Sequence, residues 1–269
     1  MIIHQILVRL ALLLDRENLH FKNLLVIYSL KRSLEAYKSR FLKAKGVIKA
    51  EPPMGRRCHL TYAAALLLLV RAKYLFLATL NEDQKGNAYA CYLLTRGYFE
   101  TSTVLGYLAI MLNKKIRSGD LESVDKISFQ VLQGGKHFPT DEYLKEVGME
   151  RVPPINVYDS IDAVDSDFGK LARERSLSEP IRKMHREAYD VVLSEFGHPN
   201  HLGLQICSSF IDKEQIFKGK IIDLEGGTME DHQKDYLGYL DWASVIFFHY
   251  WDKLSEMLQQ FDLKLPTLK

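Results

Sequence analysis

Apolar residues spaced three and four positions apart recur along most of this chain. One such series runs from Ile27 to Phe41, and another runs from Tyr236 to Phe261. This spacing places apolar side chains along one face of an α-helix, where they can pack against neighbouring helices. Only eight prolines interrupt the 269 residues. The sequence therefore predicts an all-α fold, a bundle of helices around a shared core.

Helix start and stop signals, chiefly capping residues, glycines and prolines, divide the chain. The predicted helices span residues 2–14, 18–45, 56–80, 87–118, 121–133, 140–147, 157–175, 178–197 and 228–261. Alternating charges predict that the helix at 157–175 lies exposed on the surface. Gly134 and Gly135 predict a left-handed residue that closes the helix before them.

The same pattern predicts how the chain is organised into units. We expect an N-terminal helical extension at residues 1–55, a helical bundle domain at 56–262 and a tail at 263–269. Residues 199–227 carry mixed signals and are interpreted as a loop. The bundle domain is large enough to bury a core of its own.

Two apolar segments have some features of membrane elements. Residues 2–14 include Arg9 and lack a small-residue cleavage site, so they do not have the pattern of a signal peptide. Residues 60–80 include Arg71 and Lys73, which are costly inside a bilayer. We therefore predict an amphipathic helix in the first segment and a core helix in the second, with no membrane partner.

Charge and cysteine content narrow the environment of the protein. The formal net charge is +2 and the two signs are mixed along the chain, so it does not indicate overall attraction to nucleic acid or anionic lipid. Cys58, Cys91 and Cys207 are odd in number and form no CxxC pair. This pattern is typical of free, buried thiols in a reducing compartment, which predicts a cytoplasmic location.

Arg96 and Glu100 lie four residues apart on an otherwise apolar face of the helix at 87–118. Their spacing allows an ion pair along the helix. Burying two charges is costly unless further hydrogen bonds compensate. The pair is either a structural ion pair of the interior or the part of a site that faces a ligand.

The helix at 178–197 carries a second group of polar residues. His185 and Tyr189 share one stripe with Val192 and Phe196, while Ser194 and His198 are spaced to meet at the helix end. A histidine in the last turn is favoured by the helix dipole, and imidazole changes charge near neutrality. His198 is therefore interpreted either as a helix cap or as an acid–base residue.

These two segments resemble the paired signatures of an uncharacterised bacterial all-helical domain family of unknown function. The resemblance rests on the Arg-x-x-x-Glu of Arg96 and Glu100 and on the Tyr-x-x-x-x-Ser-x-x-x-His of Tyr189, Ser194 and His198. It covers roughly residues 60 to 260. That family is in turn remotely similar to the HEPN superfamily, helical bundles of which many are dimeric, metal-independent ribonucleases in toxin and phage-defence systems.

The HEPN hallmark is an arginine followed, after four to six residues, by a histidine on the same helix. Here the arginine that most closely precedes His198 is Arg186, and eleven residues separate the two. The resemblance implies a HEPN-like bundle, and nuclease chemistry would need Arg96 to stand in from another helix.

These residues are compatible with two functions. As a binding or regulatory module, linked by the resemblance to bacterial stress or phage defence, the chain would use the polar residues as a network or a ligand site. If the chain is a metal-independent ribonuclease, His198 would act as the base and Arg96 as the cation that binds the phosphate. Glu100 would then orient the guanidinium. The predicted ligand-binding residues are Tyr189, Ser194 and Asn200.

A metal site has weaker support in the sequence. Glu-x-x-His occurs at Glu17 to His20 and at Glu195 to His198, and pairs of such motifs hold di-iron sites in some bundles. Both copies fall near predicted helix ends rather than mid-bundle. No metal and no cofactor is predicted. The expected partners are a second copy of the chain in a homodimer and, less favoured by charge, RNA.

Overall fold

A computed structural model describes residues 19–43, 57–120, 122–134, 140–146, 151–174, 184–194 and 235–268, with side chains from Ser29 onward except at positions 122, 133, 143, 172, 173, 191, 192 and 235. Every regular element within these ranges is a helix, so the predicted all-α bundle is confirmed. The predicted helix at 2–14 and the predicted loop at 199–227 lie outside the described residues.

The two helices whose ends are both described, at 59–84 and 88–118, begin and end within a few residues of the predicted bounds. The described α-helices are α1 (Leu19–Lys43), α2 (His59–Gln84), α3 (Ala88–Ser118), α4 (Glu122–Gln133), α5 (Asp141–Glu146), α6 (Val157–Glu174), α7 (Met184–Ala188) and α8 (Asp235–Gln259). A π-helical segment, π1 (Tyr189–Leu193), continues directly from α7.

Helix α3 lies at the centre of the bundle and packs against α8, α2 and α6. It begins at an Asn87 cap, whose side-chain oxygen accepts from the Ala90 amide at 3.2 Å, and ends at Gly119 in the left-handed conformation. A short turn joins α2 to α3, so the two pack as the predicted hairpin. Residues on different faces of α3 therefore contact different helices.

An aromatic cluster joins α1 and α8 to this centre. The ring of Phe41 lies 5.2 Å from Phe76, 5.6 Å from Phe247 and 5.0 Å from Phe248, between centroids. The apolar stripe predicted for α1 is confirmed from Leu30 to Phe41 by its burial. Burying rings of this size contributes much of the hydrophobic stabilisation of a core.

Residues after α8 also lie in the core. Leu263, Leu265 and Leu268 are buried, and Trp251 donates its indole N–H to the Pro266 carbonyl at 3.1 Å. Arg40 of α1 donates from Nε to the Leu268 carbonyl at 2.6 Å. The segment at 263–268 is thus packed against both α8 and α1.

Gly106 lies where side chains of α6 and α8 pack directly against the backbone of α3. A Cβ atom at this position would lie 2.7 Å from Cγ2 of Val164 and 2.8 Å from Cδ2 of Tyr250. Such distances are far inside van der Waals contact, so only glycine fits here without a shift of the neighbouring helices. The glycine therefore leaves room on α3 for the side chains of Val164 and Tyr250.

At Gly134 the end of α4 differs from the prediction. Gly134 does not adopt a positive φ, unlike Gly86 and Gly119. A side chain there would instead collide with the Gln130 carbonyl and with Pro153 and Pro154. Close approach of another chain segment, rather than a left-handed closing turn, is what calls for glycine at 134; Gly135 lies outside the described residues.

The prediction that α6 lies exposed on the surface is wrong for one face of the helix. Its residues Ile161 and Val164 are fully buried against α3, and Asp165 is buried as well. Asp167 accepts from the Tyr250 hydroxyl at 3.0 Å and from Nζ of Lys253 at 3.2 Å. Asp165 and Asp167, whose charges suggested a solvated face, instead accept hydrogen bonds from residues on other helices.

The predicted free, buried thiols are confirmed for Cys58 and Cys91, while Cys207 lies outside the described residues. Burial raises the pKa of the Cys58 thiol to about 11, so it is protonated at neutral pH. Helix α2 is long and apolar enough, by length and composition alone, to cross a membrane, a property it shares with core helices of soluble proteins.

Candidate functional site

The first part of the site is an ion pair along α3. Nε of Arg96 donates to Oε1 of Glu100 at 3.0 Å, across one helical turn. The predicted i, i+4 pairing of these two residues is therefore present.

The Tyr189 hydroxyl joins this pair from π1. It donates to Oε1 of Glu100 at 2.7 Å and accepts from Nη2 of Arg96 at 3.1 Å, so that three side chains form a closed triangle of hydrogen bonds. We call Arg96, Glu100 and Tyr189 the Arg96 cluster. It links two segments that are distant in sequence.

Two members of the Arg96 cluster, Arg96 and Tyr189, have raised pKa values. Burial alone lowers the pKa of the Arg96 guanidinium, but the bonds to Glu100 and Tyr189 outweigh it and raise the pKa above its ordinary value. Burial, and then the bond to Glu100, raises the pKa of Tyr189 to about 12. At neutral pH the cluster therefore holds a cation and a neutral phenol.

The cluster is open on one side. Tyr189 is 2% exposed, whereas the side chains of Arg96 and Glu100 are 25% and 28% exposed. Within the described part of the chain, Nη1 of Arg96 and Oε2 of Glu100 have no hydrogen-bond partner, and neither is among the buried atoms that lack one. Both atoms therefore reach the surface.

Aromatic rings surround the buried phenol. Phe99 stacks on Tyr189 with 6.3 Å between ring centroids, and Tyr158 of α6 meets it edge-on at 5.8 Å. The Arg186 guanidinium lies 3.9 Å from the centroid of the Tyr158 ring. These contacts fix the ring of Tyr189 and leave its hydroxyl aimed at Glu100.

A second set of buried polar residues holds the start of α7. Asp165 of α6 accepts from the backbone amides of His185 and Arg186, each at 3.0 Å, and lies 2.5 Å from Nδ1 of His185. Trp242 of α8 donates to Nε2 of the same imidazole at 3.2 Å. We call Asp165, His185 and Trp242 the Asp165 cluster.

The Asp165 cluster positions Tyr189 because His185 lies one helical turn before it. The carboxylate satisfies amides at the helix start that have no partner inside the helix. Sequence reasoning placed His185 on the correct stripe but missed both partners. Only the burial of Asp165 reveals its role, because the alternating charges of α6 predicted that this residue is exposed to solvent.

The π-helical segment determines which side chains stay in line with Tyr189. The amide of Ser194 donates to the Tyr189 carbonyl, five residues back, instead of the four of an α-helix. Leu193 is fully buried, so it continues the stripe of His185 and Tyr189. The predicted continuation through Val192 and Phe196 involves side chains outside the described residues.

The remaining predicted site residues are placed less completely. Ser194 is partly buried, and within the described residues its side chain makes no hydrogen bond to the side chains of the Arg96 cluster. His198 and Asn200 lie outside the described residues. No group of three His, Cys, Asp or Glu side chains able to hold a metal occurs in the described part, and both Glu-x-x-His motifs involve residues beyond it.

Comparison with known proteins adds no assignment. No protein-family model, no curated protein and no solved structure matches this chain.

Proposed function

We propose that this chain is a binding module that takes a small polar ligand at the Arg96 cluster. One observation carries the proposal. The buried hydroxyl of Tyr189 holds the Arg96 and Glu100 side chains in place, yet each of these two side chains has a polar atom at the surface. Groups that are fixed before a ligand arrives lose little freedom on binding. A regulatory role in bacterial stress or phage defence, as the HEPN-like resemblance implies, fits such a module.

The π-helical segment supports the same proposal. π-Helical turns are rare and occur frequently at functional sites. Here the turn begins at the residue whose hydroxyl completes the cluster. The side chains that secure Tyr189, including Phe99 and the Asp165 cluster, form a rigid support around it.

The proposal is tested by nitrogen-15 NMR of the full chain, observing the Nε–H resonance of Arg96. This resonance is identified by its loss in Arg96→Lys. The protein is titrated separately with acetamide, acetate and inorganic phosphate at constant ionic strength. We expect at least one of these probes to shift the resonance in a saturable way. If none of them does, the proposal is wrong.

A ribonuclease that uses His198 and Arg96 is the alternative. It is supported by the surface position of the guanidinium, which suits a phosphate. Incubation of the purified chain with single-stranded RNA and a metal chelator tests it. Cleavage that is abolished in both His198→Ala and Arg96→Ala, with thermal stability nearly unchanged, would replace the binding module by the enzyme.

A further inference from the structure

We infer that the ligand of the Arg96 cluster is an oxyanion, held by two parallel N–H groups on the outer edge of the Arg96 guanidinium. This inference rests on the proposed binding function and narrows it to one chemical class. Carboxylates and phosphate esters share this chemistry, since each offers two oxygen atoms in one plane.

The inner edge of the guanidinium is already occupied. A guanidinium has two edges that each carry a pair of nearly parallel N–H bonds, one made by Nε with Nη2 and the other by Nη2 with Nη1. Nε binds Glu100 at 3.0 Å and Nη2 binds the Tyr189 hydroxyl at 3.1 Å. The first edge is therefore used within the protein and fixes the plane of the group.

The outer edge is available. Nη1 has no partner within the described residues and reaches the surface, and Nη2 keeps a second hydrogen. The two groups point away from the inner edge, which Glu100 and Tyr189 fill. A carboxylate or phosphate that approaches from solvent can thus accept two hydrogen bonds without displacing either partner.

Arg186 provides a contrast on a neighbouring element. Its Nε donates to Asp190 at 2.7 Å, and its Nη1 contacts both carboxylate oxygens of Asp162 at 3.2 and 3.3 Å. A carboxylate of the chain itself thus binds one nitrogen on each of its two edges. The outer edge of Arg186 already holds the type of group that we infer for Arg96.

Charge also shapes the selectivity of the site. The Glu100 carboxylate balances the charge of Arg96, so the electrostatic attraction between the cluster and an anion that makes no hydrogen bond to it is weak. Attraction depends instead on the two directed hydrogen bonds. An uncharged amide offers a single carbonyl oxygen and satisfies only one of the two donors.

The titration with acetamide, acetate and phosphate distinguishes these cases. We expect acetate or phosphate, but not acetamide, to shift the Arg96 Nε–H resonance in a saturable way, and the tighter of the two anions identifies a carboxylate or a phosphate ester as the natural group. Tyr189→Phe, which removes one hydroxyl from the inner edge, should weaken anion binding several-fold. Arg96→Lys, followed through the Gly97 amide, should weaken it about tenfold or more.

Arg117→Lys, at an exposed position in the last turn of α3, is the matched control, and it should leave the affinity unchanged. A response to acetamide alone would overturn the oxyanion inference while the binding function stands. No response to any probe would overturn both. An equal shift of the Arg186 Nε–H resonance would show a general ionic effect and would also overturn the inference.

Discussion

Nε2 of His185 accepts a hydrogen bond from Nε1 of Trp242 at 3.2 Å, in a part of the core where the imidazole is fully buried. An indole N–H can only donate, so Nε2 must carry a lone pair. The proton of the neutral imidazole therefore lies on Nδ1 and is donated to Asp165, 2.5 Å away. One contact between α7 and α8 thus fixes the tautomer that binds α6.

The Asp165 cluster leads to a prediction about stability. Asp165→Ala leaves two backbone amides and the Nδ1–H of His185 without their acceptor in the interior. Each unsatisfied buried donor costs free energy, so we expect the free energy of unfolding to fall by about 3 kcal/mol or more. Urea denaturation measures this, and Ser166→Ala at the exposed neighbouring position should change it by less than about 0.5 kcal/mol.

Replacement by alanine is predicted to change the free energy of unfolding in opposite directions at Gly106 and at Gly238. In Gly106→Ala the new methyl group would collide with Val164 and Tyr250, so we expect a loss of about 1 to 3 kcal/mol despite the better helix propensity of alanine. Gly238→Ala, within α8 and with no atom within 4 Å, should stabilise the protein by about 0.5 to 1 kcal/mol. Thermal unfolding of both variants compares the two; destabilisation of equal size would contradict the packing explanation.

The Arg96 cluster is predicted to contribute little to stability. In a double-mutant cycle with Arg96→Met and Glu100→Gln, we expect a coupling free energy of about 1 kcal/mol, because both side chains are partly exposed. Chemical denaturation of the four proteins gives this value. A coupling of roughly 3 to 5 kcal/mol, as for a buried pair that is broken, would indicate that the pair is architectural.

Buried tyrosines predict a steep loss of stability at alkaline pH. Burial is the largest cause that raises the pKa of Tyr37 and of Tyr189, each to about 12, whereas an unfolded tyrosine has a pKa of about 10. Groups with a raised pKa stabilise the fold fully below pH 10, and this contribution is lost as the pH rises from about 10 to about 12. Denaturation at fixed pH values, with tyrosinate absorbance as the probe, should show ionisation of these tyrosines coinciding with unfolding; ionisation near pH 10 in the intact fold would contradict the prediction.

Most of the fold was predictable from the sequence because helix periodicity is a local signal. The boundaries of α2, α3 and α4 differ from the predicted ones by a few residues. Helix α6 was mispredicted as exposed because its charges were interpreted alone, without their partners. That Asp167 faces Tyr250 and Lys253 depends on how α6 and α8 pack, and no pattern within either helix encodes it.

The site was predictable in part for a related reason. Arg96 and Glu100 stood out because charged residues interrupt an apolar face. Their contacts with Tyr189 cross 93 and 89 positions of sequence, and only the structure reveals them. The π-helical turn after Tyr189 was not predicted, because it depends on which amide reaches the Tyr189 carbonyl rather than on residue spacing. The functional roles assigned to Arg96, Glu100, Tyr189, Ser194, His198 and Asn200 stay predictions.

The widened turn after Tyr189 bears on how relatives of this chain should be sought. It holds one residue more than an ordinary helical turn between Tyr189 and Ser194. A homologue that has an unbroken α-helix here and keeps the contacts on both sides would lack one residue of this turn. Searches for such homologues should therefore permit a one-residue gap at this point, because a template of rigid length would overlook them.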